Sequence, residues 1–367
     1  MKDVIEKIIG ALQDKGRLST KQAIAGFDGF IDSVARAVKH RNSETECELF
    51  PTIECFGSHI VSKKGMSCSI EIKPDITKFG GNMPILSNAM GSLGVKVTCV
   101  GALGFPEIHP EFKKMSANCH LRSVANPDSS TALEFDDGKI MLYQTDTSST
   151  LDWITLKTVL GAEELLRFFQ GSDLVCLVNW SEMIHSSAVW EGILSEILPL
   201  YEPLKAQTAL FDLADCSNRG KEEILAALRI IGRFSDRFET VLSMNENEAR
   251  LVFRALADTD EVWDIEAVGS EIYKEMNIHT VIVHTVRHAF AWDASGAVRV
   301  EGPYVEHPAL STGGGDNFNA GFCAGRLLDL DMTSCLTLGV AVSGFYVKFG
   351  HSPAVDEIID FFFSASF

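Results

Sequence analysis

Four short apolar runs in the second half of the chain constrain its fold most: Asp173-Leu174-Val175-Cys176-Leu177-Val178-Asn179, Thr208-Ala209-Leu210-Phe211-Asp212, Thr240-Val241-Leu242-Ser243 and Thr280-Val281-Ile282-Val283-His284-Thr285. Each is short and almost free of polar residues inside, as a strand covered on both faces must be. Helical patterns such as Ala188 to Leu198 and Lys221 to Ile231 fall between them. Strands alternating with helices predict an α/β fold in three layers, with a mostly parallel central sheet between two helical layers. The carboxyl ends of parallel strands share one rim, so Asp212, Asn245 and Thr285 should gather there.

The first third reads differently. A helix over about Val4 to Leu12 precedes a strand from Lys21 to Phe30, which feeds Gly26-Phe27-Asp28-Gly29-Phe30-Ile31-Asp32. Two β-type runs follow, Ile53 to Val61 and Ser67 to Ile72, with a turn at Lys63-Lys64-Gly65. A second pair, Thr131 to Phe135 and Lys139 to Tyr143, is joined by Asp136-Asp137-Gly138, a strong hairpin signal. Strands without intervening helices predict a separate small sheet over residues 41–78 and 129–146. The α/β core then takes 1–40, 79–128 and 147–367.

A formal net charge of −18 argues against nucleic acid or an acidic membrane surface as partner, since long-range repulsion slows such encounters. No run approaches the ~18 apolar residues of a membrane-spanning helix, and the acids among Met1 to Ile9 are unlike a signal peptide. The nine cysteines are scattered singly, without Cys-x-x-Cys spacing, which suits reduced thiols in the cytoplasm.

The chemistry concentrates in Thr312-Gly313-Gly314-Gly315-Asp316-Asn317-Phe318-Asn319-Ala320-Gly321-Phe322. Three glycines remove every Cβ from a turn, and Phe318 and Phe322 begin a helical period, with Leu327 further along the same side. Bare amides at a helix start favour an anion, and Asp316 places a carboxylate beside them. The plainer alternative is a flexible turn with Asp316 as a cap. A second glycine pair, Phe79-Gly80-Gly81-Asn82, precedes another helix and again permits close ligand approach. Asn245-Glu246-Asn247-Glu248 puts an amide and a carboxylate three apart at a helix start, able to order water around a hard cation or, more plainly, to form a capping box. Asp28 and Asp32 are either ligand-holding carboxylates or turn and capping residues.

The stretch from Thr312 to Phe322 resembles the C-terminal signature of the PfkB, or ribokinase-like, carbohydrate kinase family. Gly80-Gly81, Leu93-Gly94 and the strand Val95 to Val100 resemble its N-terminal signature, and Asn245 to Glu248 its Asn-x-x-Glu. The resemblance implies an ATP- and Mg²⁺-dependent kinase that phosphorylates a hydroxyl of a sugar or sugar-like substrate. Asp316 would be the catalytic base and Gly313, Gly314 and Gly315 the anion hole. Asp28 or Asp32, with Gly80, Gly81 and Asn82, would hold the acceptor. Asn245, Glu248, Thr285 and Thr312 would serve the nucleotide, Glu248 reaching the metal through water. The small sheet would be a lid over the sugar site and a possible homodimer contact, and Arg219 is a candidate for the assisting cation.

Three departures from the family pattern stand out: Leu310 in place of the leading Asp, which bears on a monovalent-cation site, Gly314 in place of Ala, and no glycine-rich turn at Thr285-Val286-Arg287. They keep open a non-catalytic ligand-binding or regulatory protein on the same fold, or a kinase for a nucleoside or vitamin-like alcohol.

Overall fold

The computed structural model describes residues 1–147, 149–202, 206–259, 263–310 and 312–365. In chain order the strands are β1 (Gln22–Phe27), β2 (Phe30–Arg41), β3 (Cys47–Leu49), β4 (Ile72–Gly80), β5 (Lys96–Gly101), β6 (Cys119–Ser123), β7 (Asp128–Phe135), β8 (Gly138–Gln144), β9 (Leu174–Leu177), β10 (Thr208–Asp212), β11 (Glu239–Asn245), β12 (Thr280–His284), β13 (His288–Asp293) and β14 (Gly296–Glu301).

The large sheet runs β14-β13-β12-β11-β10-β9-β1-β5-β6. From β12 to β6 all pairings are parallel, while β13 and β14 add an antiparallel hairpin at the β12 edge. Alternate residues of each strand enter two different cores. Leu174, Cys176, Leu210, Val241 and Ile282 pack with the helices on one face, and Val175, Leu177, Phe211, Leu242 and Val283 with those on the other. That division is why the runs read as continuously apolar, and it yields the expected three-layer architecture.

Helix Gly314–Leu327 lies along helix Met332–Phe349 on one face of the sheet. Their approach is close: a Cβ on Gly321 would stand 2.7 Å from the Leu338 carbonyl oxygen. Among the described residues Met332–Phe349 is the one helix long and apolar enough to cross a membrane, but 72% of it is buried inside the fold, as a core helix is.

A second, five-stranded sheet contains β2, β3, β4, β7 and β8. Two segments differ from what the sequence predicts. Lys21 to Phe30 is not one strand: the chain breaks at Asp28-Gly29, and β2, placed in the core up to residue 40, is the central strand of the small sheet. Ile53 to Val61 is not a strand but part of helix Ile53–Ser62, while Ser67 to Glu71 lies outside regular structure. Thr52 caps the helix by accepting the Cys55 N–H at 3.1 Å. Ile53 and Phe56, three apart, then lie against Phe50, Leu133 and Phe135 of the sheet's own small core. A tertiary face thus overrides the β preference of Ile and Val. The Asp137-Gly138 hairpin joins β7 to β8.

Candidate active site

After β6 the chain returns to the other side of β1 to form β9, which makes the carboxyl ends of these two strands a point of reversal. A parallel sheet opens a crevice at such a point, and the polar residues sit there. Asp28, just past β1, is buried. Its Oδ2 accepts the Asn82 N–H at 2.7 Å and the Asn179 side-chain amide at 2.8 Å, and its Oδ1 accepts the Met83 N–H at 2.8 Å. Asp28 therefore caps helix Asn82–Ser92. Gly81 permits this with φ of 91°, and a Cβ there would lie 2.6 Å from Oδ2.

Asp32 occupies another position, on β2 facing the end of β4. Its Oδ1 accepts the Ser130 hydroxyl at 2.6 Å, and its Oδ2 lies where a Cβ of Gly80 would be, at 2.1 Å. Burial raises its pKa, offset by the Ser130 hydrogen bond and by Lys78 and Lys139.

Gly313 caps helix Gly314–Leu327 with φ of 97°, in the left-handed region that a Cβ disfavours. The Tyr346 hydroxyl donates to the Thr312 carbonyl at 2.9 Å and holds the turn. Gly314, Gly315 and Asp316 form the first helical turn, whose N–H groups have no intrahelical acceptor. With the positive end of the helix dipole, these amides make a place for an anion.

Asp316 is the third residue of that turn and is 7% exposed. Burial raises its pKa well above the usual carboxylate range, the charges of Asp212 and Asp28 raise it further, and a hydrogen bond with the Asn82 side chain opposes them. Asp212 accepts the Ala214 N–H and the Asn319 side-chain amide, each at 2.8 Å, and Asn319 accepts the Ser243 hydroxyl at 2.6 Å.

Asn245 and Glu248 form the capping box. The Asn245 side chain accepts the Glu248 N–H at 2.9 Å, and the Glu248 carboxylate accepts the Asn245 N–H at 2.8 Å and its amide at 2.5 Å. Glu248 is 5% exposed, and its pKa is raised well above the ordinary value by burial and then by Asp212. Asp212, Glu248 and Asp316 thus repel one another in a buried space, an oxygen-rich environment that fits a hard divalent cation. Among the described residues no three His, Cys, Asp or Glu side chains are grouped to ligate a metal directly, and contact through water suits Glu248.

A cleft of about 420 Å³ opens beside Gly314 and Gly315, with Asn245, His284, Thr285, Phe318 and Val347 among its walls. His284 lies against Phe318 with ring centroids 4.8 Å apart and the planes tilted by 35°, and burial lowers its pKa to about 4, so it is neutral. Thr285 fixes the turn at this wall by accepting the His288 N–H at 3.0 Å.

Asn245, Thr285, Gly314 and Gly315 line this cleft, Thr312, Gly313 and Asp316 belong to the same helix start, and Asn82 and Glu248 both interact with Asp316. Arg219 does not join them. Its guanidinium donates to the carbonyls of Ser181 and Trp180 and to Glu223, and stacks on Trp180. Asn179, which holds both Asp28 and Glu182, went unrecognised, although a polar residue ending an apolar strand was the available signal.

The family model for prokaryotic ketohexokinase matches residues 12–364. The chain belongs to the prokaryotic ketohexokinase family. It is an ATP-dependent sugar kinase of the PfkB type. A ketohexokinase from Haloferax volcanii is 29% identical over 345 residues, covering 93% of this chain and 91% of the relative. Solved structures share the ribokinase-like fold. The ribokinase of Thermotoga maritima has a TM-score of 0.59 at 15% identity, covering 93% of the kinase and 99% of its own chain. An E. coli protein assigned as ribokinase II, solved with ATP and Mg²⁺, has a TM-score of 0.64 at 16% identity, covering 94% and 99%.

Proposed function

We propose that this kinase transfers the γ-phosphoryl group of ATP to a hydroxyl of a ketohexose, with Mg²⁺ as its metal. The buried Asp316 carries the reading: a carboxylate with a raised proton affinity, held in the first turn of a helix whose bare amides can receive a phosphoryl group. The nucleotide enters the cleft beside Gly314 and Gly315, and the sugar binds between Asp32, Gly80 and Asn82 under the small sheet, which acts as a lid. Asp316 accepts the proton of the attacking hydroxyl. The sugar oxygen bonds to the γ-phosphorus as the bond to the β,γ-bridging oxygen breaks, and ADP leaves with that electron pair.

Asn245 and Glu248, with Asp212 behind them, would hold Mg²⁺ through water, and the ion when bound would neutralise phosphate charge. The Gly313 to Gly315 turn contributes at most ~2 kcal/mol through the helix end, so positioning and charge neutralisation supply most of the ~8 kcal/mol or more that catalysis requires. Asp28, engaged by three donors, positions the Asn82 helix instead of holding sugar.

The nine free cysteines suit a reducing cytoplasm. Ile76 and Tyr143, on the crevice-facing side of the small sheet, are 59% and 47% exposed, apolar surface that a second copy of the chain would cover.

The experiment is ADP release with Mg²⁺ over ketohexoses, aldohexoses, sugar acids and nucleosides. Turnover highest with a ketohexose is expected. Turnover confined to a nucleoside would contradict the acceptor assignment, and binding without turnover of any acceptor would contradict the catalytic one.

A further inference from the structure

The small sheet carries more charge toward the core than sugar binding requires. Strand register sets Lys78 opposite Asp32 on one side and Ser130 opposite it on the other, and sets Lys139 opposite Glu134 further along β7. Side chains alternate along strands, so these five residues share one face. The other face holds Leu133, Phe135 and Ile140, packed with Phe50 and Phe56 beneath helix Ile53–Ser62. The charged face is therefore the one turned to the crevice. One contact shows it: the Lys139 ammonium donates to the hydroxyl of Thr312, the residue before Gly313.

Lys78 extends the pattern. Its ammonium nitrogen is buried with no hydrogen-bond partner among the described residues. Burial lowers its pKa, partly offset by Asp32, and the charge of Lys139 lowers it further. Two ammonium groups thus meet one buried carboxylate, with Glu134 at the exposed rim. A buried charge without a hydrogen-bonding partner is unfavourable, and an anion brought by a ligand would relieve it.

We propose that Lys139, with Lys78 behind it, supplies the positive charge that stabilises the transferring phosphoryl group, so that closing the lid and neutralising the charge are one event. Phosphoryl transfer spreads negative charge over three equatorial oxygens, and the loop that would hold them is the one Lys139 already touches. The lysines form no bond to phosphorus and exchange no proton; they donate hydrogen bonds to these oxygens while Asp316 takes the hydroxyl proton. The inference rests on reading Gly313 to Asp316 as the transfer site.

The test uses the full chain and the variants Lys139→Gln, Lys139→Arg, Lys78→Met and Asp316→Asn. The measurements are kcat and KM for sugar and ATP, Tm, and ADP affinity with sugar in the presence or absence of fluoroaluminate, a planar mimic of the transferring group. Lys139→Gln should lower kcat about 10²-fold, as loss of a transition-state donor does, with both KM values nearly unchanged. It should also lose the gain in ADP affinity that fluoroaluminate gives the parent. Lys139→Arg should recover most of the rate, and Lys78→Met should lose part of it.

A folded Lys139→Gln enzyme with kcat within a few-fold of the parent and the fluoroaluminate gain intact would overturn the proposal. So would a variant altered only in sugar KM. Should Asp316→Asn be inactive while Lys139→Gln is active, the lysine assignment alone falls. Should both be active, the site reading falls with it.

Discussion

A Cβ on Gly80 would lie 2.1 Å from Oδ2 of Asp32, so the carboxylate can take its place only because residue 80 has no side chain. Strand pairing thus brings the glycine pair beside an acid that is distant from it in sequence. Gly80→Ala should therefore displace Asp32 and act like Asp32→Asn. Both variants should raise sugar KM by about tenfold or more, the cost of one hydrogen bond to a charged group, with ATP KM nearly unchanged. Initial rates over both substrates check this. An unchanged sugar KM in both would remove Asp32 from acceptor binding.

Asp28 offers a prediction on pH. Burial pushes its carboxyl up to about 7, from 3.8 for an exposed Asp. Between those values the folded protein keeps a proton that the unfolded chain has released, so this group's contribution makes stability fall as pH rises across the window. Asp28→Asn should flatten that part of the slope. Asp32, Asp212, Glu248 and Asp316 are also raised and should leave a residual slope of the same sign. Denaturant unfolding of both proteins at several pH values checks the difference.

The central sheet was legible because its strands are buried on both faces, and the Gly313 helix because its glycines and Asp316 are contiguous. Asp32 and Asp28 were harder to separate. They lie four apart in sequence but on strands' ends belonging to different sheets, and that break at Asp28-Gly29 is set by packing, not by local preference. A Cβ on Gly29 would meet the Ala102 carbonyl oxygen at 2.1 Å, a contact with a residue far along the chain. Helix Ile53–Ser62 was misread for a similar reason. Its β-branched residues favour a strand alone, and only the small core around Phe50 and Phe135 rewards the helical face. Lys78 and Lys139 carry no motif at all; strand register brings them to Asp32 and Thr312.

Glu248 serves the helix cap and, in the proposed mechanism, the metal's water shell. Glu248→Gln keeps an acceptor for the Asn245 N–H but removes the charge. The Mg²⁺ activation curve should move to higher concentration, with Tm lowered by no more than the equivalent of about 1 kcal/mol. Titration of Mg²⁺ at fixed ATP checks this. A curve unchanged beside a lower Tm would leave Glu248 with the cap alone.

The most direct test of the account is Asp316→Asn. Asn keeps the size and hydrogen-bonding reach of the side chain at this first-turn position, so the fold and ATP affinity should persist. What it loses is the proton acceptor, a change that typically costs ~10²–10⁴-fold in rate. The measurement is kcat with the best ketohexose at saturating ATP and Mg²⁺, with Tm and ATP affinity alongside. A folded, ATP-binding protein with kcat reduced at least ~10²-fold is expected. A folded variant that binds ATP and turns over within a few-fold of the parent would contradict it.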